Sequence, residues 1–222
     1  MGNCQVKPVN NVADAKNLSD INNLVRYVRH IHETGEIETI FKNLKFHGYI
    51  GDDLMLTTGL KPMNVFARLA CGEMPNPVDQ SGLGMYKDEF MVCHNLPERD
   101  ANWNNPNDLT ASMAGPDKNG PGHVFITTID LDWRKFNILP IILSQDLIFL
   151  ARLLLAAETY IMHRGWRRYG LYFHCYPKNT VNSLHLHVVN LSKIGHVFHA
   201  KKSQNISLYD VISNLRRMDT SE

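Results

Sequence analysis

Two histidines that are two residues apart, His185 and His187, lie in a segment where polar and apolar residues alternate. In a β-strand this alternation places Ser183 and both histidines on one face of a sheet, while Leu184 and Leu186 lie on the opposite face. A neutral imidazole is a competent nucleophile towards phosphorus and becomes a good leaving group when it is protonated. The segment therefore predicts a phosphate-handling site, half of a metal site or a pair of solvated side chains.

The spacing of the pair is weak support by itself. The chain has 11 histidines among 222 residues, and a second pair with the same spacing occurs at His30 and His32. A bare His-x-His pattern therefore has a high false-positive rate. One alternative is an imidazole-rich zinc site, although no carboxylate is patterned beside its ligands. The ligands of that site would be His123, His174, His185 and His187.

The composition is that of an ordinary globular chain. Apolar residues make up 44% and charged residues 20% of a sequence that is long enough for one domain with a proper core. The formal net charge of +1 provides no general attraction to nucleic acid or membrane, so any phosphate binding must be local. Widely spaced cysteines without a preceding secretory signal favour reduced thiols and a cytoplasmic location.

Two segments raise the question of membrane attachment. Gly2 and Cys4 are placed as myristoylation and palmitoylation would require, although Val6 stands where serine or threonine is usual, so a weak lipid anchor stays open. The apolar run over 138–161 is long enough to cross a bilayer. Because a proline and several charged residues interrupt this run, we expect a buried helix instead.

Hydrophobic periodicity divides the chain into three parts. Residues 1–60 contain a predicted helix that begins at Ser19, a shorter helix and a hairpin, without any ligand-like constellation. We expect this N-terminal helical extension to stabilise the fold without taking part in chemistry. Residues 61–198 form the main domain, and 199–222 form a C-terminal tail with a short helix.

The main domain is predicted to be α+β, with an antiparallel sheet of five or six strands and helices packed on it. A helix over 63–71 ends at Gly72, and strands around 84–86 and 89–95 suit a hairpin. A long polar loop over 99–122 is expected to be a lid or a partner surface. The remaining predicted elements are a strand over 124–129, an apolar helix from Ser144 to Gly165, and strands over 170–176 and 184–191.

Four blocks of the main domain resemble, in the same order, the motifs of the histidine triad (HIT) family of nucleotide hydrolases and transferases. Residues 64–75, NVFARLACGEMP, resemble the family's opening helix, and 90–96, FMVCHNL, resemble its strand ending in His-Asp-Ile. Residues 122–128, GHVFITT, resemble the strand that begins with histidine, and 179–189, NTVNSLHLHVV, resemble the triad signature. Together the ordered blocks are more specific than any one of them. The resemblance implies a HIT-like fold.

The resemblance also implies roles for residues at matching positions. His185 would be the nucleophile and would form a nucleotidyl-histidine intermediate. His187 would contact phosphate oxygens and carry protons, and His123 would be a further group beside the phosphate. Thr180 and Asn179 match positions that hydrogen-bond the leaving group and a phosphate oxygen.

The same resemblance implies that residues outside the triad bind the nucleoside. Asn95 matches an acidic position that holds the ribose hydroxyls, and an amide there loses the charge-assisted part of those hydrogen bonds. His174, in the segment FHCYP, resembles the His-x-x-Pro approach found in the aprataxin and scavenger-decapping branches. Phe66, Leu69 and Leu96 match the apolar walls around the base, and core packing explains these three equally well.

Departures from the family pattern leave two functions open. Ser183 stands where the first triad histidine belongs, Thr127 and Thr128 replace a Pro-Lys pair, and the loop over 99–121 is longer than in compact members. One function is hydrolysis or nucleotidyl transfer at a phosphoanhydride or phosphoramidate bond of a nucleotide or dinucleotide, without a cofactor and with release of a nucleoside monophosphate. The other is a catalytically weak nucleotide-binding module on the same fold, with Ser183 among its binding residues.

The apolar helix predicted from Ser144 to Gly165 also bears on assembly. It is apolar nearly all round, so more than one of its sides must be covered. Compact members of the family pair through this helix, and the resemblance therefore implies a homodimer. Residues 1–60 are the alternative cover.

Overall fold

The computed structural model describes residue 35 and residues 65–73, 80–130, 147–174 and 184–219. The helices and hairpin predicted within 1–60 and the lipid anchor at Gly2 and Cys4 lie outside the described residues. So does Ser144, the expected cap of the apolar helix.

One five-stranded antiparallel sheet organises the described chain, which confirms the prediction of an α+β fold with such a sheet. Its spatial strand order is β1-β2-β4-β3-β5, so β4 is the central strand. The strands are β1 (Phe90–His94), β2 (His123–Thr128), β3 (Tyr169–His174), β4 (Leu186–Asn190) and β5 (Asn205–Ser207). The helices are α1 (Val65–Ala70), α2 (Pro97–Ala101), α3 (Leu147–Arg164), α4 (His196–Ala200) and α5 (Leu208–Asp219), with 3₁₀ turns over Gln80–Tyr86, Leu191–Lys193 and Lys202–Gln204.

Strand register decides which side chains share a face of the sheet. Phe125 of β2 and Tyr172 of β3 are both opposite His187 of β4, and His123 is opposite Val189. Since successive side chains of a strand point to opposite faces, these residues all lie on one face. The valine, isoleucine and leucine side chains between them point to the other face, where they are almost completely buried.

The apolar face of the sheet packs against α3 and α5 and forms the main core. Leu150, Leu153 and Tyr160 of α3 are almost inaccessible to solvent. The helix ends at a glycine as predicted, because Gly165 has a φ of 67°, a conformation that favours a residue without a Cβ. No helix among the described residues is both long enough and apolar enough to cross a membrane.

The outer side of α3 keeps a stripe of exposed apolar side chains. Ile148, Leu155 and Met162 are 77%, 47% and 73% exposed. Their seven-residue spacing places them on one side of the helix. A homodimer through α3, or cover by residues 1–60, therefore stays a prediction.

The hairpin predicted around 84–95 is wrong in its first strand. Residues 84–86 belong to the 3₁₀ turns over Gln80–Tyr86, and only β1 is extended. The side chain of Gln80 donates to the carbonyl oxygen of Phe90 at 3.1 Å and accepts the N–H of Val92 at 3.1 Å. One glutamine side chain thus satisfies the edge of β1 at which a hairpin partner would pair.

Residues 199–219, set apart above as a tail, complete the same sheet and core. β5 pairs with β3 at the sheet edge, and α5 packs against α3. Neither β5 nor α4 is anticipated by the sequence analysis. The core residues of this segment are Ile206, Leu208, Val211, Ile212 and Leu215.

Two smaller hydrophobic clusters lie on the opposite face of the sheet. Phe66 of α1 packs against Met91 and Cys93 of β1. The segment 111–115, together with α4, packs over Val189. Histidine side chains from three strands of the sheet and the residues beside them meet on this face.

Candidate functional site

Four histidine side chains form what we call the imidazole cluster (His123, His174, His185 and His187). His187 lies at its centre, with its ring centroid 5.2 Å from that of His123 and 4.8 Å from that of His185. The ring of His174 is closer still, at 3.8 Å from His187. The fold therefore brings His123, His185 and His187 together on one side of the sheet and adds His174 to them.

Hydrogen bonds fix the tautomers of two of these rings. The backbone N–H of Met113 donates to Nδ1 of His123 at 3.3 Å, so a neutral His123 carries its hydrogen on Nε2. That Nε2 donates to Nδ1 of His187 at 3.0 Å, which places the hydrogen of His187 on its own Nε2. This last nitrogen is buried and has no hydrogen-bond partner in the described part of the chain. It is therefore a donor available to an acceptor on a bound ligand.

Burial keeps three of the four imidazoles uncharged at neutral pH. Burial, assisted by the positive charges of neighbouring protonated groups, lowers the pKa of His123 to about 3 and that of His174 to about 4. Burial also holds the pKa of His187 well below its usual value. Each of these three neutral rings therefore has one nitrogen that donates and one that accepts.

A cation acts electrostatically on the neutral rings. The charge of Lys201, the residue that follows α4, contributes to the lowered pKa values of His123, His174 and His187. Burial, and then the charge of Arg99, lower the pKa of Lys201 itself. A partly desolvated ammonium beside N–H donors favours a bound anion.

Aromatic side chains pack against the cluster. The ring of His185 lies 4.8 Å from that of Phe66 and 5.5 Å from that of Phe125. Phe66 is buried, and Leu69 is half-buried in the same apolar group. Cys93 belongs to this group too, and burial raises the pKa of its thiol to about 12. The thiol is therefore not an alternative nucleophile.

Asn95 is buried, and both ends of its amide already have protein partners. Its Nδ2 donates to the hydroxyl of Ser112 at 2.9 Å, and its Oδ1 accepts the N–H of Leu96 at 3.1 Å. Ser112 in turn donates to the carboxylate of Asp100, whose pKa is raised by burial. A ribose contact by Asn95 would have to use the remaining amide hydrogen or lone pair. The side chain of Leu96 is 51% exposed at the start of α2.

The sequence-selected residues Asn179, Thr180 and Ser183 lie outside the described residues. Conversely, no sequence pattern indicates the N–H of Met113 or Asn205, whose Oδ1 lies 2.8 Å from Nε2 of His174. A backbone donor has no sequence signal, because nearly every residue carries one. Asn205 belongs to a strand of three residues, which is too short for its periodicity to be recognised.

Within the described ranges, no group of three or more histidine, cysteine, aspartate or glutamate side chains is arranged to hold a metal ion. His123 in particular uses both ring nitrogens in hydrogen bonds.

Neither the protein-family models nor the curated proteins give a match to this chain. The resemblance to the histidine triad family therefore rests on the four sequence blocks alone.

Proposed function

We propose that this chain is a nucleotide hydrolase or nucleotidyl transferase of histidine triad type, with His185 as its nucleophile. The observation that carries the proposal is the series of hydrogen bonds from Met113 through His123 to His187. Within the described residues this series leaves one buried N–H of His187 without a partner, on a ring 4.8 Å from that of His185. Such a donor beside a nucleophile is suited to an oxygen on which negative charge develops.

The proposed reaction has two steps at one phosphorus atom. A ring nitrogen of His185 attacks the phosphorus, a P–N bond forms, and the leaving group departs with its electron pair and takes up a proton from the solvent. Water then attacks the same phosphorus, the bond to His185 breaks and a nucleoside monophosphate is released. A different acceptor in place of water gives nucleotidyl transfer. His187 and Lys201 would stabilise the negative charge of the phosphoryl oxygens in both steps.

The surroundings of the cluster suit the two ends of a nucleotide. The ammonium of Lys201 and the N–H of His187 can hold a phosphate group. The rings of Phe66 and Phe125 pack against that of His185, and a base can pack beside this apolar border of the cluster. Stacking of this kind tolerates any base, so the proposal specifies a nucleotide and not a particular one.

A nucleotide-binding module without turnover is the second candidate. It is favoured by Ser183, which stands where the family has its first triad histidine. A serine is shorter than histidine and cannot carry a positive charge, so it gives less support to a nucleophile on the same strand. Both candidates use the same phosphate and base contacts, and turnover is what separates them.

The test is incubation with a panel of adenylated and guanylated phosphoanhydrides and phosphoramidates, followed by chromatography of the released mononucleotide. The parent should release nucleoside monophosphate, and an acid-labile covalent nucleotide should form on it. His185→Ala should do neither while still binding nucleotide. His163→Ala is the matched control, because His163 is exposed at the end of α3 on the opposite side of the sheet. Nucleotide binding by the parent without release from any substrate would identify a binding module.

A further inference from the structure

Asn205 lies on the face of the sheet that carries the imidazole cluster. It is the register partner of His174, whereas its neighbour Ile206 points into the main core. Its Oδ1 lies 2.8 Å from Nε2 of His174. An amide oxygen can only accept, so a neutral His174 must carry its hydrogen on Nε2. Nδ1 of His174 is then the nitrogen with the lone pair.

His174 and His187 therefore present opposite groups to their surroundings. Their ring centroids are 3.8 Å apart. His187 presents an N–H that has no partner in the described part of the chain, and His174 presents the lone pair of its Nδ1. One ring is a donor and its neighbour is an acceptor, which matches a phosphoryl oxygen next to a water or hydroxyl group.

The amide nitrogen of Asn205 gives a second indication of a ligand. Nδ2 is buried and lacks a hydrogen-bond partner among the described residues. Buried donors in folded proteins are nearly always satisfied, by protein, by water or by a bound molecule. Asn205 can thus hold His174 with its oxygen and donate to a ligand oxygen with its nitrogen.

We propose that Asn205 is a positioning residue that fixes the Nε2–H tautomer of His174 and so makes Nδ1 of His174 the proton acceptor of the hydrolytic step. This inference rests on the proposed function. In that step a water O–H proton moves to Nδ1 of His174, and the water oxygen forms a bond to phosphorus. The P–N bond to His185 breaks, and its electron pair stays on the His185 nitrogen.

The tautomer can be measured without any substrate. In ¹⁵N NMR spectra of the full chain with labelled histidine, the parent should show hydrogen on Nε2 and a lone pair on Nδ1 of His174 at neutral pH. Asn205→Leu removes the acceptor and should give a mixture of tautomers or the reversed one. Asn205→Asp keeps an acceptor oxygen and should retain the parent tautomer. Ser207→Ala, on the same strand, is the control and should match the parent.

Kinetics then separate positioning from folding. Asn205→Leu should lower kcat by roughly tenfold or more, with a smaller change in KM, because proton transfer is impaired. Asn205→Asp should retain more activity. Its carboxylate should also raise the pKa of His174, against the lowering effect of burial, His185 and Lys201. A base works only when deprotonated, so the acidic limb of the pH–rate profile should move to higher pH in this variant.

Each outcome bears on a different claim. Hydrogen on Nδ1 of His174 in the parent, or a parent-like tautomer and pH profile in Asn205→Leu, would overturn the inference. The expected tautomers combined with no turnover by the parent would refute the proposed function, while the positioning of His174 by Asn205 would stand.

Discussion

The chain buries two groups of polar side chains and compensates them in different ways. In the arginine network (Asp117, Tyr160, Arg164 and Trp166), Arg164 pairs with Asp117 at 3.1 Å and donates to the hydroxyl of Tyr160 at 2.7 Å. Trp166 donates its indole N–H to the same carboxylate. In the imidazole cluster, by contrast, neutral His123 and His187 are linked to one another and to a backbone N–H.

The pKa values also differ between the arginine network and the imidazole cluster. Burial acts to raise the pKa of Asp117, but hydrogen bonds from the N–H of Asn119, from Trp166 and from Arg164 outweigh it, so the pKa is lowered and the charge is kept. Burial of His123 meets no such compensation, and its pKa falls to about 3. Compensated charges fix the 99–121 loop to the end of α3, whereas the cluster keeps donors and acceptors for a ligand.

The sharpest way to test this division is to remove the proposed nucleophile. His185→Ala should lower turnover by at least about 10⁴-fold, because the covalent step is deleted. The ring is only partly buried, so the free energy of unfolding should change by less than about 1 kcal/mol. Turnover is measured on the best substrate of the panel, and nucleotide affinity by calorimetry. A rate within tenfold of the parent would exclude His185 as the nucleophile.

The complementary change is Asp117→Ala in the arginine network. It leaves the guanidinium of Arg164 buried without its carboxylate, so the free energy of unfolding should fall by about 3–5 kcal/mol. The kcat of the folded fraction should stay within about threefold of the parent, since Asp117 is not part of the cluster. Urea unfolding measures the first quantity. Asp88→Ala, in an exposed turn, is the control. If Asp117→Ala lowered the free energy of unfolding no more than this control, the ion pair between Asp117 and Arg164 would not stabilise the fold.

Acidification should affect the two groups in separate pH ranges. His123 and His174 take up protons in the unfolded chain near pH 6.5, but in the folded chain only near 3 and 4. The unfolded state therefore binds more protons below about pH 6.5, and stability should fall from there towards pH 4, by on the order of a few kcal/mol. The lowered pKa of Asp117 contributes stability that is present above about pH 4 and is lost as the pH falls through its folded value.

The measurement is urea unfolding between pH 7 and pH 3.5. His123→Leu should flatten the decline between pH 6.5 and pH 4, and Asp117→Ala should remove only the part below about pH 4. A parent whose free energy of unfolding is constant from pH 7 to pH 4.5 would contradict the neutral state of the buried histidines.

Strands and helix ends that depend on a single local rule could be predicted from the sequence. The residues of β2 and β4 have strong strand propensity, and Gly165 ends α3 with the conformation that only glycine adopts readily. The error at 84–86 has a tertiary cause. The side chain of Gln80 bonds to the backbone of β1 and occupies the edge that a paired strand would need.

The histidines of the site could be predicted from the sequence, but the groups that orient them could not. Alternation puts His185 and His187 on one face, but the bond between His123 and His187 joins residues 64 positions apart in the sequence. No local pattern encodes that distance, and the N–H of Met113 is a backbone group. Asn205 depends on the pairing of β5 with β3, which places it opposite His174.

The smallest expected effect concerns His123, whose two ring nitrogens both form hydrogen bonds within the protein. His123→Leu leaves the N–H of Met113 and Nδ1 of His187 unpaired, so the hydrogen of His187 is no longer confined to Nε2. Turnover should fall roughly ten- to hundredfold, which corresponds to about 1–3 kcal/mol in the barrier. His123→Gln can accept from Met113 with its oxygen and donate to His187 with its nitrogen, so it should recover part of the loss. The ¹⁵N spectrum of His187 distinguishes orientation from packing: hydrogen should stay on Nε2 in His123→Gln and be shared between the nitrogens in His123→Leu. If His123→Leu turned over at the parent rate with the hydrogen still on Nε2, the bonds from Met113 to His187 would stabilise the fold without orienting the donor that the proposed function requires.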